Sequence, residues 1–304
     1  MPSFSTRTSG DLVADRRYDY GDAALVDGDF AAARDLFAQT LELVPNWPPA
    51  HFALAKACIG QSEHAEAAQA LHRVLALDPA DRLGAAVLLA QIGTAAPVMP
   101  DAYVASLFDE YAPRFDGHLV EALKYRAPET LAGLMHQERG AAMHFAAALD
   151  LGCGTGLMAT ALAGHVDAMA GVDLSAGMLK VAEAGGRYNR LTCAELLGFL
   201  KGEPASAYDL ALAADVFCYV PDLAPVLGEA ARVLTSGGLF AFSIQTHVGE
   251  GVIMGADARV HHAPAEVRTW AEAAGFTLRQ EVTVSTREDR GVPVPGALFL
   301  LAKT

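Results

Sequence analysis

Asp150-Leu-Gly-Cys-Gly-Thr-Gly156 decides how this chain is read. The stretch closes an apolar run, Phe145 to Leu149, and opens an Ala/Leu-rich segment with the composition of a helix. Strand, glycine turn and helix in that order make a nucleotide-binding arrangement. Glycine lets the backbone pass close to a ligand, and the first N–H groups of the helix face an anion unpaired. Gly152, Gly154 and Gly156 form G-x-G-x-G, whereas a dinucleotide fingerprint places its third glycine one position later, at Leu157 here. A second apolar stretch, Met169 to Val172, ends in Asp173-Leu174-Ser175. That is about twenty residues on, where a ribose-binding acid belongs at the tip of the second strand. The residues alone leave two readings open: a nucleotide-type cofactor site, or an ordinary βα turn with Asp173 capping a helix.

Working outward, apolar runs at 145–151, 168–173, 208–214 and 238–244 alternate with helical segments, with a short strand expected at 188–192. This is the pattern of a parallel sheet with helices on both faces. The run Tyr208 to Tyr219 reads as a fourth strand with Asp215 at its carboxyl end, facing the crevice where open α/β sheets bind ligands. Phe276 to Val284 and Gly296 to Ala302 read as two closing strands joined by the turn Arg290 to Gly296.

The N-terminal third follows a different period. Gly28 to Pro45 and Ser62 to Pro79 align with a spacing of 34 residues: Ala33 with Ala67, Phe37 with Leu71, Pro45 with Pro79, and in the preceding helices Gly21 with Ala55. That period is the tetratricopeptide one, in which small residues allow close approach of the two helices of a hairpin. Residues 14–93 therefore read as tetratricopeptide-like helical repeats, with Ala80 to Ile92 as a further helix closing the stack. So short an array is expected to lean on another domain or a second subunit, and to bind a protein partner or self-associate. The Pro-rich stretch 94–100 reads as a linker and 101–304 as the second domain.

Composition sets the outer bounds. At 304 residues and 52% hydrophobic content two domains are expected, each with a real core. The four cysteines, Cys58, Cys153, Cys193 and Cys218, have no metal-ligand spacing, which points to a reducing compartment and away from a structural zinc. The N-terminus Met1 to Arg7 is polar and no uncharged run spans a bilayer, so a cytoplasmic, membrane-free protein is expected. A formal net charge of −14 argues against a nucleic-acid partner.

The segments DLGCGTG and GVDLS resemble the class I S-adenosylmethionine-dependent methyltransferases, whose pattern is an acidic residue, G-x-G-x-G, then an acid ending strand two. The resemblance implies a doubly wound, mostly parallel seven-stranded α/β sheet behind the N-terminal all-α repeats, with S-adenosyl-L-methionine as cofactor. It implies that Gly152, Cys153, Gly154 and Gly156 pack against the methionine part, that Asp150 orients the loop, and that Asp173 takes both ribose hydroxyls. Leu174, Met178, Ala194, Glu195 and Asp215 join that cofactor-binding set. Arg232 to Leu239 resembles the family's helix–glycine turn–strand five connection, with the glycines ending the helix. The segment Phe108-Asp-Glu-Tyr-Ala-Pro-Arg-Phe-Asp116, followed by Leu123-Lys-Tyr-Arg-Ala-Pro-Glu129, resembles bacterial methyltransferases with N-terminal tetratricopeptide repeats. There it implies a lid helix over 101–120, with Tyr111 and Phe115 over the cofactor; the alternative is a core-facing amphipathic helix.

Methyl transfer is an in-line displacement, so positioning supplies most of the catalysis, and a base is needed only for a protonated acceptor. His118, His247, His261 and His262 are the candidate bases. Arg259-Val-His-His262 aligns with an R-Y-x-H element of the repeat-bearing relatives, which implies roles for Arg259 and His262 beside Tyr111. No metal is expected. The acceptor expected is a small molecule, methylated on oxygen or nitrogen; the alternative is a non-catalytic or protein-directed adaptor whose repeats recruit a partner.

Overall fold

The computed structural model describes residues 8–117, 124–285, 287–289 and 291–304. His118, Leu123 of the second lid motif, Arg290 of the last turn, the end of the expected lid helix at 118–120 and the polar Met1 to Arg7 lie outside the described residues. The chain divides into two compact units, Met1–Ser106 and Leu107–Thr304. The expected linker, 94–100, carries no helix or strand, and the division falls a few residues later, inside the helix Asp101–Tyr111.

The first unit is built from helices α1 (Leu12–Asp27), α2 (Phe30–Leu43), α3 (Pro48–Gly60), α4 (His64–Leu77) and α5 (Ala85–Gln91). Asp11 starts α1 by accepting from the amides of Val13 and Ala14, and Asp29 starts α2 through Ala32. Pro48 stands in the first turn of α3, where its missing N–H costs nothing. The small positions of the repeat do what their period predicts. Gly21 faces Phe37 so closely that a Cβ there would lie 2.7 Å from the ring. Ala33, Phe37, Ala67 and Leu71 are wholly buried. Tyr18 closes the first hairpin, with its ring 5.4 Å from Phe37 and 4.8 Å from Trp47.

The second unit holds a seven-stranded sheet of β1 (Phe145–Leu151), β2 (Val166–Asp173), β3 (Arg190–Cys193), β4 (Tyr208–Ala213), β5 (Leu234–Gln245), β6 (Phe276–Thr283) and β7 (Gly296–Lys303). The spatial order is β3-β2-β1-β4-β5-β7-β6, parallel except for β7, which runs antiparallel to both neighbours. Helices α6 (Asp101–Tyr111), α7 (Ala127–Arg139), α8 (Leu157–Ala161), α9 (Ala176–Gly185), α10 (Leu196–Gly202), α11 (Ala224–Val233) and α12 (Pro264–Ala273) complete the chain, α6 entering from the first unit. Two short antiparallel ribbons, Val252–Met254 with Val260–His262 and Glu288–Asp289 with Val292–Pro293, stand outside the sheet.

Because side chains alternate along each strand, the sheet feeds two cores. Leu149, Leu151, Val172, Ala211, Phe240, Phe242 and Phe299 enter one, with the Phe242 and Phe299 rings stacked at 5.2 Å. Ala148, Leu210, Leu212, Ala241 and Leu298 enter the other, against Leu131 and Met135 of α7. The connection into β5 differs from the expectation. Helix α11 ends at Val233 and the chain is extended from Leu234, so the glycines do not end the helix. Gly237, at φ +75°, sits inside β5, where the register against β4 shifts between Tyr208 and Leu210; the glycines absorb that irregularity.

Phe37→Ala removes a fully buried ring from the contact between α1 and α2, and is expected to cost about 3–5 kcal/mol. Urea unfolding of the full chain followed by circular dichroism measures it, as an early loss of helical signal.

Candidate functional site

The strand order carries the polypeptide out at the carboxyl ends of β1, β2 and β4, and the expected site residues collect there. After β1 the turn takes φ +64° at Gly152, +53° at Gly154 and +96° at Gly156, a left-handed path that only glycine follows without strain. Closeness is a second demand at Gly152, where a Cβ would fall 2.5 Å from Val216. Gly154 is the opposite case: the space a Cβ would take there is open. Its N–H donates to Asp173 Oδ2 at 2.9 Å, and Oδ1 of the same carboxylate accepts from Ser175 N at 2.8 Å. Asp173 thus fastens the glycine turn to the start of α9 while each oxygen keeps a further lone pair. Burial raises its pKa, against those backbone hydrogen bonds. Capping of α9 is done by Ser175, whose hydroxyl accepts from Met178 N, and not by Asp173.

Asp150 is buried beneath the turn. Burial pushes its carboxyl up to about 7, opposed by the Tyr188 hydroxyl, which donates to it at 2.7 Å, and reinforced by the charge of Asp173. Cys153 is also buried, its sulfur against Gly171, and burial drives its thiol pKa far up, so it packs and does not react. Leu174 offers its carbonyl to the Cys193 thiol, and Met178 is buried on α9. Ala194 N donates to the Asp173 carbonyl at 3.1 Å. Glu195 has both oxygens committed to the amides of Leu197 and Gly198 at 2.6 Å each, as the cap of α10. Asp215, at φ +58°, follows β4; its amide donates to Ser243 Oγ at 2.7 Å, and burial raises its carboxyl pKa against the charges of Arg287 and Arg259.

The aromatics before α7 meet as the spacing predicts. Phe115 lies 6.1 Å from Phe108 and 5.3 Å from Tyr111, ring centre to ring centre, and Phe108 lies 5.2 Å from Tyr219. Two carboxylates tie this segment down. Asp109 Oδ1 accepts from Ser175 Oγ at 2.6 Å and Gly177 N at 2.8 Å, and Asp116 accepts from the Thr155 hydroxyl at 2.5 Å. The segment is therefore pinned both to the glycine turn and to the start of α9. Each acid directly follows a phenylalanine of the motif, a signal that could have been read.

Of the residues assigned to the chemistry, Arg259 stands near both Asp215 and Tyr111, and His262 stands apart. Arg259 lies 4.4 Å over the ring of Tyr219, and its charge bears on Tyr111, whose phenol burial pushes up. Neighbours on a strand point opposite ways. His261 therefore turns toward the site, at 3.0 Å from Asp257 Oδ1 and 3.2 Å from the Thr246 carbonyl, and the Asp257 hydrogen bond raises its pKa. His262 is fully buried, donating Nε2–H to the Val220 carbonyl at 3.0 Å, and burial drops its pKa to about 4. It is a neutral structural imidazole. His247 is bound to the Gly251 carbonyl at 3.0 Å. Sequence reasoning missed Tyr188, Gln245, Asp257 and Arg287, which become neighbours only through the fold.

Residues 149–242 match the methyltransferase domain family and residues 24–92 the tetratricopeptide repeat family. Among curated proteins the chain is 38% identical over 106 residues to human methyltransferase-like protein 27, covering 34% of this chain and 43% of that protein. It is 28% identical over 149 residues to a ubiquinone biosynthesis O-methyltransferase of Coxiella burnetii, covering 43% and 63%. The chain thus spans about half the length of the curated relatives it matches. Among solved structures, the [4+2]-cyclase SpnF superposes with a TM-score of 0.55 at 18% identity, over 68% of this chain and 97% of that one. A Burkholderia thailandensis 1,6-didemethyltoxoflavin-N1-methyltransferase, solved with S-adenosylhomocysteine, gives 0.52 at 21%, over 69% and 92%. The chain joins tetratricopeptide repeats to a domain of the S-adenosylmethionine-dependent methyltransferase fold.

Asp150 gives a pH test. Its folded pKa lies above the unfolded value, so the folded state holds a proton that the unfolded chain has lost between about pH 4 and 7, and the stabilisation fades as pH rises through that window. Asp150→Asn keeps the acceptor for Tyr188 and removes the buried charge. The variant is expected to gain on the wild type, on the order of 1–3 kcal/mol, between pH 5 and 8. Thermal melts of ligand-free protein across that range check it.

Proposed function

We propose that the protein transfers a methyl group from S-adenosyl-L-methionine to a small-molecule acceptor, on oxygen or nitrogen, by in-line displacement. The observation that carries this reading is the Gly154–Asp173 pairing at the tips of β1 and β2. It leaves a turn with open space over Gly154 and a carboxylate with free lone pairs, which suit a nucleoside whose ribose presents two hydroxyls. Asp173 holds the ribose, the Gly152–Gly156 turn lies against the amino-acid part, and Asp150 supports the turn from beneath. The helix-borne rings of Phe108, Tyr111 and Phe115, fixed through Asp109 and Asp116, exclude water. The cofactor supplies a methyl group on a positively charged sulfur. The relative named for ubiquinone biosynthesis O-methylation supports a small-molecule acceptor.

His262 is not the base in this reading: it is neutral, buried and bonded to a carbonyl. The protein's contribution is alignment, with the acceptor lying between the aromatic rings and Asp215. The methyl transfer resides in residues 101–304, and the repeats of 14–93 take a protein partner or a second copy of the chain.

Asp173→Ala removes two charge-assisted hydrogen bonds to the ribose, and is expected to weaken S-adenosylmethionine binding by about 2–4 kcal/mol in calorimetry. Wild-type affinity in that variant would overturn the assignment of the β2 tip.

Tyr111→Ala tests the rings. An electron-rich face favours the cationic donor over the neutral thioether product, so the variant is expected to lose about 0.5–2 kcal/mol more affinity for the donor. Equal losses for both ligands return Tyr111 to a packing role.

A further inference from the structure

Beyond the glycine turn, on the side where Val216 presses against Gly152, the carboxyl edge of the sheet holds a buried guanidinium whose Nε has no partner among the described residues. The side chain of Arg287 is 11% exposed. Its Nη1 stands 3.7 Å from Asp215 Oδ2, an ion-pair distance outside hydrogen-bond reach. Its Nη2 donates to the side-chain oxygen of Gln245, in the amide orientation that lets Gln245 donate to Asp257 Oδ2 at 3.0 Å. Nε is buried with no hydrogen-bond partner among the described residues. A buried donor left unpaired is costly, and guanidinium N–H groups match the two oxygens of a carboxylate.

Arg259 brings a second guanidinium, and the charges of both arginines act on Asp215 and Tyr111. Asp257 holds His261 toward its cationic form. The walls beside them are aromatic: Tyr111, Phe108, Phe115 and Tyr219.

We propose that Arg287, assisted by Arg259, anchors a carboxylate carried by an aromatic small-molecule methyl acceptor. The inference rests on the methyl-transfer reading above and names the acceptor class for that site. The carboxylate is the handle and not the methylated group. Two guanidiniums draw electron density from it and lower its nucleophilicity, so the methyl group goes to another atom of the same acceptor.

The test uses the full chain saturated with S-adenosylhomocysteine, with benzoate, its neutral isostere benzamide and phenyl phosphate as calorimetric probes. Benzoate is expected to bind at least about tenfold tighter than either of the others. Arg287→Met is expected to erase that preference while S-adenosylhomocysteine affinity stays within about twofold, and Arg287→Lys to keep part of it as a point charge. Equal binding of benzoate and benzamide overturns the proposal, and so does a preference for phenyl phosphate. Loss of S-adenosylhomocysteine affinity in Arg287→Met also overturns it, assigning Arg287 to the cofactor's own carboxylate. The wild-type comparison of benzoate with benzamide needs no variant, so it decides even if Arg287→Met does not fold. Wild-type protein with no affinity for S-adenosylhomocysteine would instead sink the methyl-transfer reading beneath, a result separable from all the others.

Discussion

The carboxylate of Asp173 ties together three things that the sequence keeps apart: the end of β2, the glycine turn after β1 and the start of α9. It does so with two backbone hydrogen bonds, to Gly154 and Ser175. Without a side-chain acceptor at this place, the left-handed turn has no partner for the Gly154 amide, and the open space above it loses its floor. The parallel pairing of β1 with β2 brings Asp150 opposite Gly171 and Leu151 opposite Val172, so the tips of the two strands arrive level. The segment 108–116 then attaches to the same place: Asp109 takes Ser175 and Gly177, and Asp116 takes Thr155. The aromatics of 108–115 are thereby held by the residues that flank the turn.

Burial of acids is the cost of this arrangement, and the structure meets it in two ways. Asp150 gives up charge, with its carboxyl pushed to about 7 and a tyrosine hydroxyl as partner. Asp215 is offset by opposite charge, since Arg287 and Arg259 work against the effect of burial. The first solution suits a group beneath a turn, where neutrality costs nothing in function. The second leaves strong fields in place, and strong fields at a partly exposed edge are what bind a charged ligand.

How far the sequence reached follows from the range of its signals. The strands at 145–151 and 208–214, the closing pair, and the 34-residue repeat are all local patterns, and each appears in the structure near its expected place. The turn and Asp173 were legible because a motif and its partner lie within a single βαβ unit. The connection at 232–239 was misread, because a glycine pair after a helix looks alike whether it ends the helix or relieves a register shift in the strand beyond. His262 was singled out over His261 by motif alignment, but the side of a strand a residue faces depends on pairing with Val252–Met254, which no local pattern reveals. Arg287 carried no signal at all; its neighbours come from β4, β5 and the ribbon at 252–262.

Topology explains why Arg287 arrives there. Strand β7 runs antiparallel to β5 and to β6, so β6 runs parallel with the rest of the sheet and ends at the carboxyl edge. The connection 284–295 must leave the sheet on the same edge as the glycine turn and Asp215. The chain that follows β5, which supplies Asp257, Arg259 and His261, leaves from that edge too. Strands β1 and β2 thus furnish the glycine turn and Asp173 from one stretch of about twenty-five residues, whose spacing is fixed by the parallel pairing. The groups beside Asp215 come from two connections that the sheet brings to the same edge but whose lengths it does not constrain. Loops of that kind change without disturbing the strands that carry them. The residues proposed to recognise the acceptor therefore sit on connections that the sheet leaves unconstrained in length, and they are the ones a motif cannot locate.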